Sequence, residues 1–283
     1  MDRAMPTVAL AGRTASYIQT GRGPGAPLLL VHGFTGSKED FALVLDELGK
    51  DRRVVAVDLP GHGGSQAPPD PSGYGLSASA EWVLGAADAL DLGPHHLLGH
   101  SLGGLVVQRV AAAAGQRLRS LVLMDTGLGA LREEVADLIA RVAVVARDQG
   151  MEAAWEERRR LNLRRAVRYD PPPGREDFVR RRFLALDPAA VVVGARSLTE
   201  AGALEAFLRR IAMPVLVIHG EHDDAWTPAE QQQLAHAVRG AELAVVRASR
   251  HSPQLENPVE WLAVLRDFLR RAEGGQVAQG AKR

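Results

Sequence analysis

Leu98-Gly99-His100-Ser101-Leu102-Gly103, followed by a second glycine at Gly104, decides how the rest of this chain is read. The run His96-Leu97-Leu98 before it has the makings of a strand. Leu102, Leu105, Val106 and Val110 after it fall on one face of a helix. A serine on so tight a strand-to-helix turn is pushed outward with its hydroxyl exposed, and the flanking glycines are small enough for the turn to close. A helix beginning there aims free backbone N–H groups and the positive end of its dipole at the same spot. Ser101 is therefore the candidate nucleophile.

Outward from this turn, strands and helices alternate. Toward the N-terminus, Val8 to Ile18 reads as two short strands around Gly12-Arg13, and Leu28 to Val31 is a continuously apolar strand that needs cover on both faces. Ser37 is placed to cap a helix running through Leu48, with Glu39 and Asp40 in its first turn. Val54 to Val57 is the next buried strand. It leads through the loop Asp58-Leu59-Pro60-Gly61-His62-Gly63-Gly64-Ser65 to a helix with Leu76, Ala80, Val83, Leu84, Ala87 and Leu90 on one face. Beyond the serine turn, Leu121 to Met124 is a strand closed by Asp125. The rhythm then breaks: residues 127–210 read as helical, Arg-rich and without a clear strand, interrupted at Tyr169-Asp170-Pro171-Pro172-Pro173-Gly174. It resumes with a strand at Val215 to Ile218, a helix at Ala229 to Val238, a strand at Leu243 to Val246 and an amphipathic helix from Asn257 to Arg271. This alternation argues for an α/β fold with a mainly parallel sheet covered on both sides and ligands gathered at the carboxyl ends of the strands. We expect core segments at 1–126 and 211–273, an insertion at 127–210 and a disordered tail at 274–283.

Bulk properties exclude several classes of function. The 283 residues are 46% apolar and 24% charged with a formal net charge of zero, so no global charge points to nucleic acid or an anionic membrane. The absence of cysteine removes disulfides, thiol catalysis and thiolate-bound zinc. The first residues lack the apolar core of a signal peptide, and no apolar run reaches the roughly 18 residues of a membrane helix. A soluble, cytoplasmic protein is expected, acting on a small molecule, with its oligomeric state open. No cofactor and no metal are expected: no Gly-x-Gly-x-x-Gly, no Gly-Lys-Ser and no His-x-x-x-His pair on one helix occurs. His32, His62, His100, His219 and His222 are read as hydrogen-bonding residues at strand ends. The ten arginines against five acids between Trp155 and Ala185 are read as solvated helix faces, since neighbours in runs such as Arg158-Arg159-Arg160 and Arg180-Arg181-Arg182 lie about 100° apart on a helix.

A serine hydroxyl needs a base to take its proton, and the base needs an acid to orient it. On this architecture both follow the serine at the ends of later strands, acid first. His219-Gly220-Glu221-His222-Asp223-Asp224 closes the strand at Ile218, and Ser249-Arg250-His251-Ser252-Pro253 follows the strand at Val246. With these stretches in place, the chain from about Leu28 to Leu269 resembles an α/β-hydrolase with a helical cap. His32-Gly33-Phe34 is similar to that family's oxyanion loop, and Asp58 to Ser65 to its loop after the next strand.

The resemblance implies an eight-stranded sheet with the 127–210 insertion as the cap, and a serine hydrolase acting through an acyl-enzyme on a carboxylic ester or similar acyl bond. Ser101 would attack, His251 would carry the proton, and Asp223 would orient the imidazole. The backbone N–H groups of Phe34 and Leu102 would hold the oxyanion. The family's acid lies three residues after the glycine, which selects Asp223, and four before a proline, which selects Asp224 ahead of Pro228. The glycine turn sets the strand end directly, so Asp223 is the first choice and Asp224 the alternative. Asp125 is a third, because some members place the acid after that earlier strand; its other reading is a polar residue closing a strand. Similar chains also include C–C bond hydrolases, enol-lactone hydrolases, a lyase of menaquinone synthesis, cofactor-free haloperoxidases and non-enzymatic small-molecule receptors. Members with Asp at the elbow, the epoxide hydrolases and haloalkane dehalogenases, are excluded by Ser101.

Overall fold

A computed structural model describes residues 6–164 and 174–280. The predicted interruption at Tyr169 to Pro173 and residues 281–283 lie outside the described residues. Eight strands form one sheet: β1 (Thr7–Leu10), β2 (Arg13–Thr20), β3 (Gly25–Val31), β4 (Arg52–Val57), β5 (His95–His100), β6 (Leu118–Met124), β7 (Val215–Gly220) and β8 (Glu242–Val246), in the spatial order β1-β2-β4-β3-β5-β6-β7-β8. The pairings from β4 through β8 are parallel, while β2 runs antiparallel to β4 and forms a hairpin with β1. The hairpin turns at Ala11 (φ +44°) and Gly12 (φ +85°), both left-handed, as a two-residue turn between twisted strands requires.

Successive residues of a strand face opposite sides, and that alternation builds two cores from one set of apolar runs. Leu29, Val31, Val55, Val57, Leu97, Leu121, Leu123, Val215 and Val217 point to one side and pack with α2 (Leu76–Ala89), α3 (Leu102–Ala114) and α9 (Pro228–Ala237). Leu28, Leu30, Val54, Ala56, Leu98, Val122, Met124, Leu216 and Ile218 point to the other, against α1 (Ala42–Gly49) and α11 (Pro258–Gly280). Trp261, Leu265, Phe268 and Leu269 of α11 are wholly buried there.

Two expectations change. Ser37 precedes a short 3-10 helix, Lys38–Phe41, and the α-helix starts only at Ala42. Asp40 turns back to accept the Ser37 N–H at 3.3 Å, which tightens the first turn. The last helix does not stop near Arg271 but continues to Gly280, into the stretch expected to be disordered. Propagating a formed helix by one more residue costs far less than starting one.

Between β6 and β7 lie five helices and no described strand: α4 (Glu133–Gln149), α5 (Met151–Arg164), α6 (Glu176–Leu184), α7 (Pro188–Glu200) and α8 (Glu205–Leu208). This insertion has its own apolar centre of Val142, Ala146, Trp155, Val179, Phe183 and Val191, with the Trp155 and Phe183 rings 5.5 Å apart. It meets the sheet's helices through a second cluster, in which Leu131, Val135 and Leu198 pack with Phe34, Leu102, Leu105 and Trp226. Charge fixes it as well. Arg182 of α6 bonds Asp40 at 2.5 Å, and Arg175 donates to the Glu39 carbonyl at 3.0 Å. Of the remaining arginines, Arg159, Arg160 and Arg180 pair with Glu156, Glu157 and Glu152 at the surface. Among the described residues, no helix is long and apolar enough to cross a membrane.

Candidate active site

The carboxyl ends of β5, β7 and β8 place three side chains in line. Ser101 sits between β5 and α3 at φ +55° and ψ −120°, a left-handed conformation that costs a non-glycine residue about 1–3 kcal/mol. The turn is paid for by small neighbours: a Cβ on Gly99 would meet the Gly103 carbonyl oxygen at 2.3 Å, and one on Gly103 the His32 carbonyl oxygen at 2.4 Å. Ser101 N–H donates to the Met124 carbonyl at 2.9 Å, and Thr126 Oγ1 donates to the Ser101 carbonyl at 2.9 Å, so β6 braces the turn from the side.

His251, on the loop after β8, turns Nε2 to Ser101 Oγ at 3.0 Å and Nδ1 to Asp223 Oδ1 at 2.9 Å. A carboxylate only accepts, so Nδ1 carries the hydrogen and Nε2 is left as acceptor for the hydroxyl. Asp223 has three donors: Nδ1–H of His251, the Ala225 N–H at 2.9 Å and Gln231 Nε2 at 3.2 Å. Its burial disfavours the charged form, yet the facing His251 and these bonds hold its carboxyl below the usual carboxylate range. The Asp224 backbone carbonyl accepts from Arg132 Nη2 at 2.6 Å, with Nη1 on the Ala225 carbonyl at 3.1 Å. Asp125 lies beside the acid on the neighbouring strand. Its Oδ1 accepts the Gly220 N–H at 2.9 Å, and burial, followed by the charge of Asp223, raises its carboxyl well above the ordinary range.

The N–H of Leu102, the first residue of α3, has no acceptor within the helix. The His32-Gly33-Phe34 segment closes the other side of Ser101: a Cβ on Gly33 would come within 2.9 Å of the serine Cβ. Glycine at 33 thus lets this loop lie against Ser101, while the Phe34 ring packs under Gly194 of α7, where a Cβ would meet it at 2.8 Å.

His32, His62, His100 and His219 each hydrogen-bond backbone groups, whereas His222 is exposed beside Glu221. His32 Nδ1–H donates to the Gly33 carbonyl at 2.9 Å, and its Nε2 accepts the Leu59 N–H at 3.0 Å. His62 donates to the Pro60 carbonyl at 2.9 Å and His219 to the Gly220 carbonyl at 2.8 Å. Burial pushes His32 down to about 4 and His62 to about 3. His100 Nε2–H donates to the His251 carbonyl at 2.6 Å, and burial, aided by His251, pushes it down to about 4. Asp125, Asp223 and His251 bring ligand atoms within 4.8 Å of one another, as a metal site would. Both ring nitrogens of His251 are engaged by Ser101 and Asp223, so metal binding and this hydrogen-bonded chain would be competing uses of the same atoms.

Trp226, Gln231, Arg132 and Thr126 support this constellation without having stood out in the sequence. Trp226 stacks on His251 at 6.3 Å with the planes 28° apart. Gln231 alone left a trace, as a polar residue on the inward face of α9 beside Leu234 and Ala235.

A sequence profile of the alpha/beta hydrolase fold matches residues 26–258. The chain is 28% identical over 271 residues to the 2-hydroxymuconate semialdehyde hydrolase of Pseudomonas sp. (strain CF600), covering 90% of this chain and 91% of that one. It is 34% identical over 214 residues to a dihydrolipoyllysine-residue acetyltransferase component of the acetoin cleaving system of Pseudomonas putida. That match covers 66% of this chain and spans only 56% of the relative's own length. Among solved structures, a thermophilic esterase from Thermogutta terrifontis superimposes with a TM-score of 0.80 at 26% identity, covering 95% of this chain and 99% of that chain.

Proposed function

The chain belongs to the alpha/beta hydrolase fold family, and on that premise we propose that it is a cofactor-free serine hydrolase that cleaves a carboxylic ester, or a similar acyl bond, of a small-molecule substrate. What carries this reading is the unbroken line from Asp223 through His251 to a serine on a strained turn, with contacts of 2.9 and 3.0 Å. Ser101 Oγ attacks the substrate carbonyl carbon as its proton passes to His251 Nε2. The negative charge gathers on the carbonyl oxygen, where the N–H groups of Leu102 and Phe34 meet it. Each such donor is worth about 3 to 4 kcal/mol in the transition state. Collapse expels the alcohol, which takes the proton from His251, and leaves the acyl group on Ser101. Water then attacks the acyl-enzyme by the same proton route, releasing the acid and restoring the hydroxyl. Asp223 remains ionised throughout and stabilises the imidazolium.

In this account residues 127–210 act as the cap. The wall formed by Phe34, Leu102, Leu131, Val135, Leu198 and Trp226 is apolar, which suits a substrate with an uncharged acyl group at the reacting end. The similarity over nearly full length to a 2-hydroxymuconate semialdehyde hydrolase supports a second reading, in which the same triad hydrolyses a carbon–carbon bond next to a carbonyl. Turnover of p-nitrophenyl acetate against turnover of 2-hydroxymuconate semialdehyde separates the two. The ester reading expects the former to dominate in kcat/KM, and the reverse order overturns it. Ser101→Ala abolishes both in either case.

A further inference from the structure

The ends of β6 and β7 hold two acids side by side, and the reaction described above uses only one. Asp125 and Asp223 place carboxylate oxygens within 4.8 Å of each other and of a His251 ring nitrogen. Their hydrogen-bond partners are unequal. Asp223 accepts from His251, Ala225 and Gln231. Asp125, wholly buried, accepts among the described residues only from Gly220 through Oδ1; no described N–H reaches its Oδ2, and the group facing it is the Asp223 carboxyl. Two carboxylates this close inside a protein do not both ionise, and the proton goes to the one with fewer donors.

We propose that Asp125 is a positioning residue: its Oδ2 holds a proton and donates that O–H to the Asp223 carboxylate, fixing it for His251 and drawing off part of its charge. This rests on the assignment of Asp223 and His251 made above. The raised carboxyl of Asp125 and the lowered one of Asp223 agree with it. A strand-closing role accounts for only part of the residue. At φ +46° Asp125 is left-handed, which Asp and Asn tolerate better than most side chains, and Oδ1 caps the Gly220 N–H; neither uses Oδ2. The other titratable groups facing this pair are His251, His100, whose ring lies 5.0 Å from that of His251, and Glu256 of α10 (Pro253–Glu256).

The test is the pKa of His251, read from its ring Hε1 resonance by NMR and from the acid limb of kcat/KM on p-nitrophenyl acetate. Asp125→Gly removes the carboxyl and suits the positive φ. Asp223 then keeps its full charge, so the His251 pKa rises, by about half a unit or more, and kcat/KM falls roughly tenfold. Asp125→Asn keeps an acceptor for Gly220 and offers an amide N–H to Asp223. It leaves the His251 pKa within about 0.2 units of the wild type and recovers most of kcat/KM. An unchanged pKa in Asp125→Gly, with kcat/KM lowered or not, overturns the proposal, because a purely structural residue would behave so. A fall of the pKa in Asp125→Asn also overturns it, because deleting a second ionised carboxylate lowers it. The Asn variant decides alone if the Gly variant does not fold. The resonance needs no turnover, so a wild-type protein inert toward esters counts against the ester reading while the titration still decides this one.

Discussion

The molecule contains two Ser–His–carboxylate chains at opposite ends of the same sheet. At the carboxyl ends of the strands, Ser101 Oγ, His251 and Asp223 are linked at 3.0 and 2.9 Å. At the amino ends, Ser120 Oγ, His96 and Glu273 are linked at 2.7 and 3.1 Å. In both, the carboxylate takes a ring N–H and the serine hydroxyl faces the other nitrogen, so hydrogen-bond lengths alone do not tell them apart. Their surroundings do. Ser120 lies within regular β6, whereas Ser101 is held at positive φ where a helix begins. The His96 side chain is 0% exposed and that of His251 is 26% exposed. Glu273 is shared with Arg52 Nη1 at 2.7 Å and the Ala26 N–H at 2.9 Å, tying the C-terminal helix to the sheet. A hydrogen-bonded triad is thus necessary for a serine nucleophile and not sufficient. The strained turn, the adjoining helix N-terminus and an approachable base are what mark the Ser101 chain, and not the Ser120 chain, as the candidate for the proposed catalysis.

Perturbing the same atoms in each chain should break this contrast if it is wrong. The largest effect is expected from Ser101→Ala, a loss of roughly 10⁶-fold in kcat for p-nitrophenyl acetate, as when a triad serine is removed elsewhere. Ser120→Ala should keep kcat within twofold and lower stability by about 1–3 kcal/mol, because a buried His96 nitrogen loses its donor; urea unfolding measures this. Next comes the carboxylate pair. Asp223→Asn should lower kcat about 10⁴-fold, since the amide selects the wrong imidazole tautomer, while Asp224→Asn and Glu273→Gln stay near wild type. A large loss from Asp224→Asn would transfer the acid's role to that residue.

The last contrast is in pH dependence, and it acts on stability rather than on turnover. His32, His96 and His100 are pushed down to about 4 and His62 to about 3 by burial, and all are neutral in the fold. Between the unfolded value of 6.5 and about 4 the unfolded chain binds protons that the folded chain refuses. Stability therefore falls as pH falls through that window, by up to about 1.4 kcal/mol per pH unit for each histidine. Thermal unfolding from pH 7 to pH 4.5 should show the slope, and His96→Gln should flatten it by one residue's share without moving the pH dependence of kcat.

The sheet was legible because runs such as Leu28 to Val31 and Leu121 to Met124 are apolar at every position, only four or so residues long, and end at polar or glycine turns, as doubly covered parallel strands do. The meeting of Ser101 and His251 followed from chain order: Ser101 directly follows β5, and His251 lies on the loop beyond the end of β8, at the same edge of the sheet. Asp223 was ranked ahead of Asp224 only by its distance from the glycine, because one residue along a loop changes where a side chain points without changing any periodicity. In the structure Asp223 Oδ1 meets His251 Nδ1, while Arg132 binds the Asp224 and Ala225 carbonyls. The long reach of Arg132, like that of Arg182 to Asp40, crosses between segments far apart in the chain and leaves no local mark. The helical start after Ser37 and the end of the last helix were misjudged because terminal turns depend on a single bond, such as Ser37 to Asp40.

The measurement that tests the central claim most directly is the site of covalent labelling by a fluorophosphonate, mapped by mass spectrometry of the digested protein. The structure predicts one adduct per chain, on Ser101, formed fastest when His251 is neutral and absent in His251→Ala. An adduct on Ser120 or on any other residue, or labelling of Ser101→Ala at the wild-type rate, would contradict it.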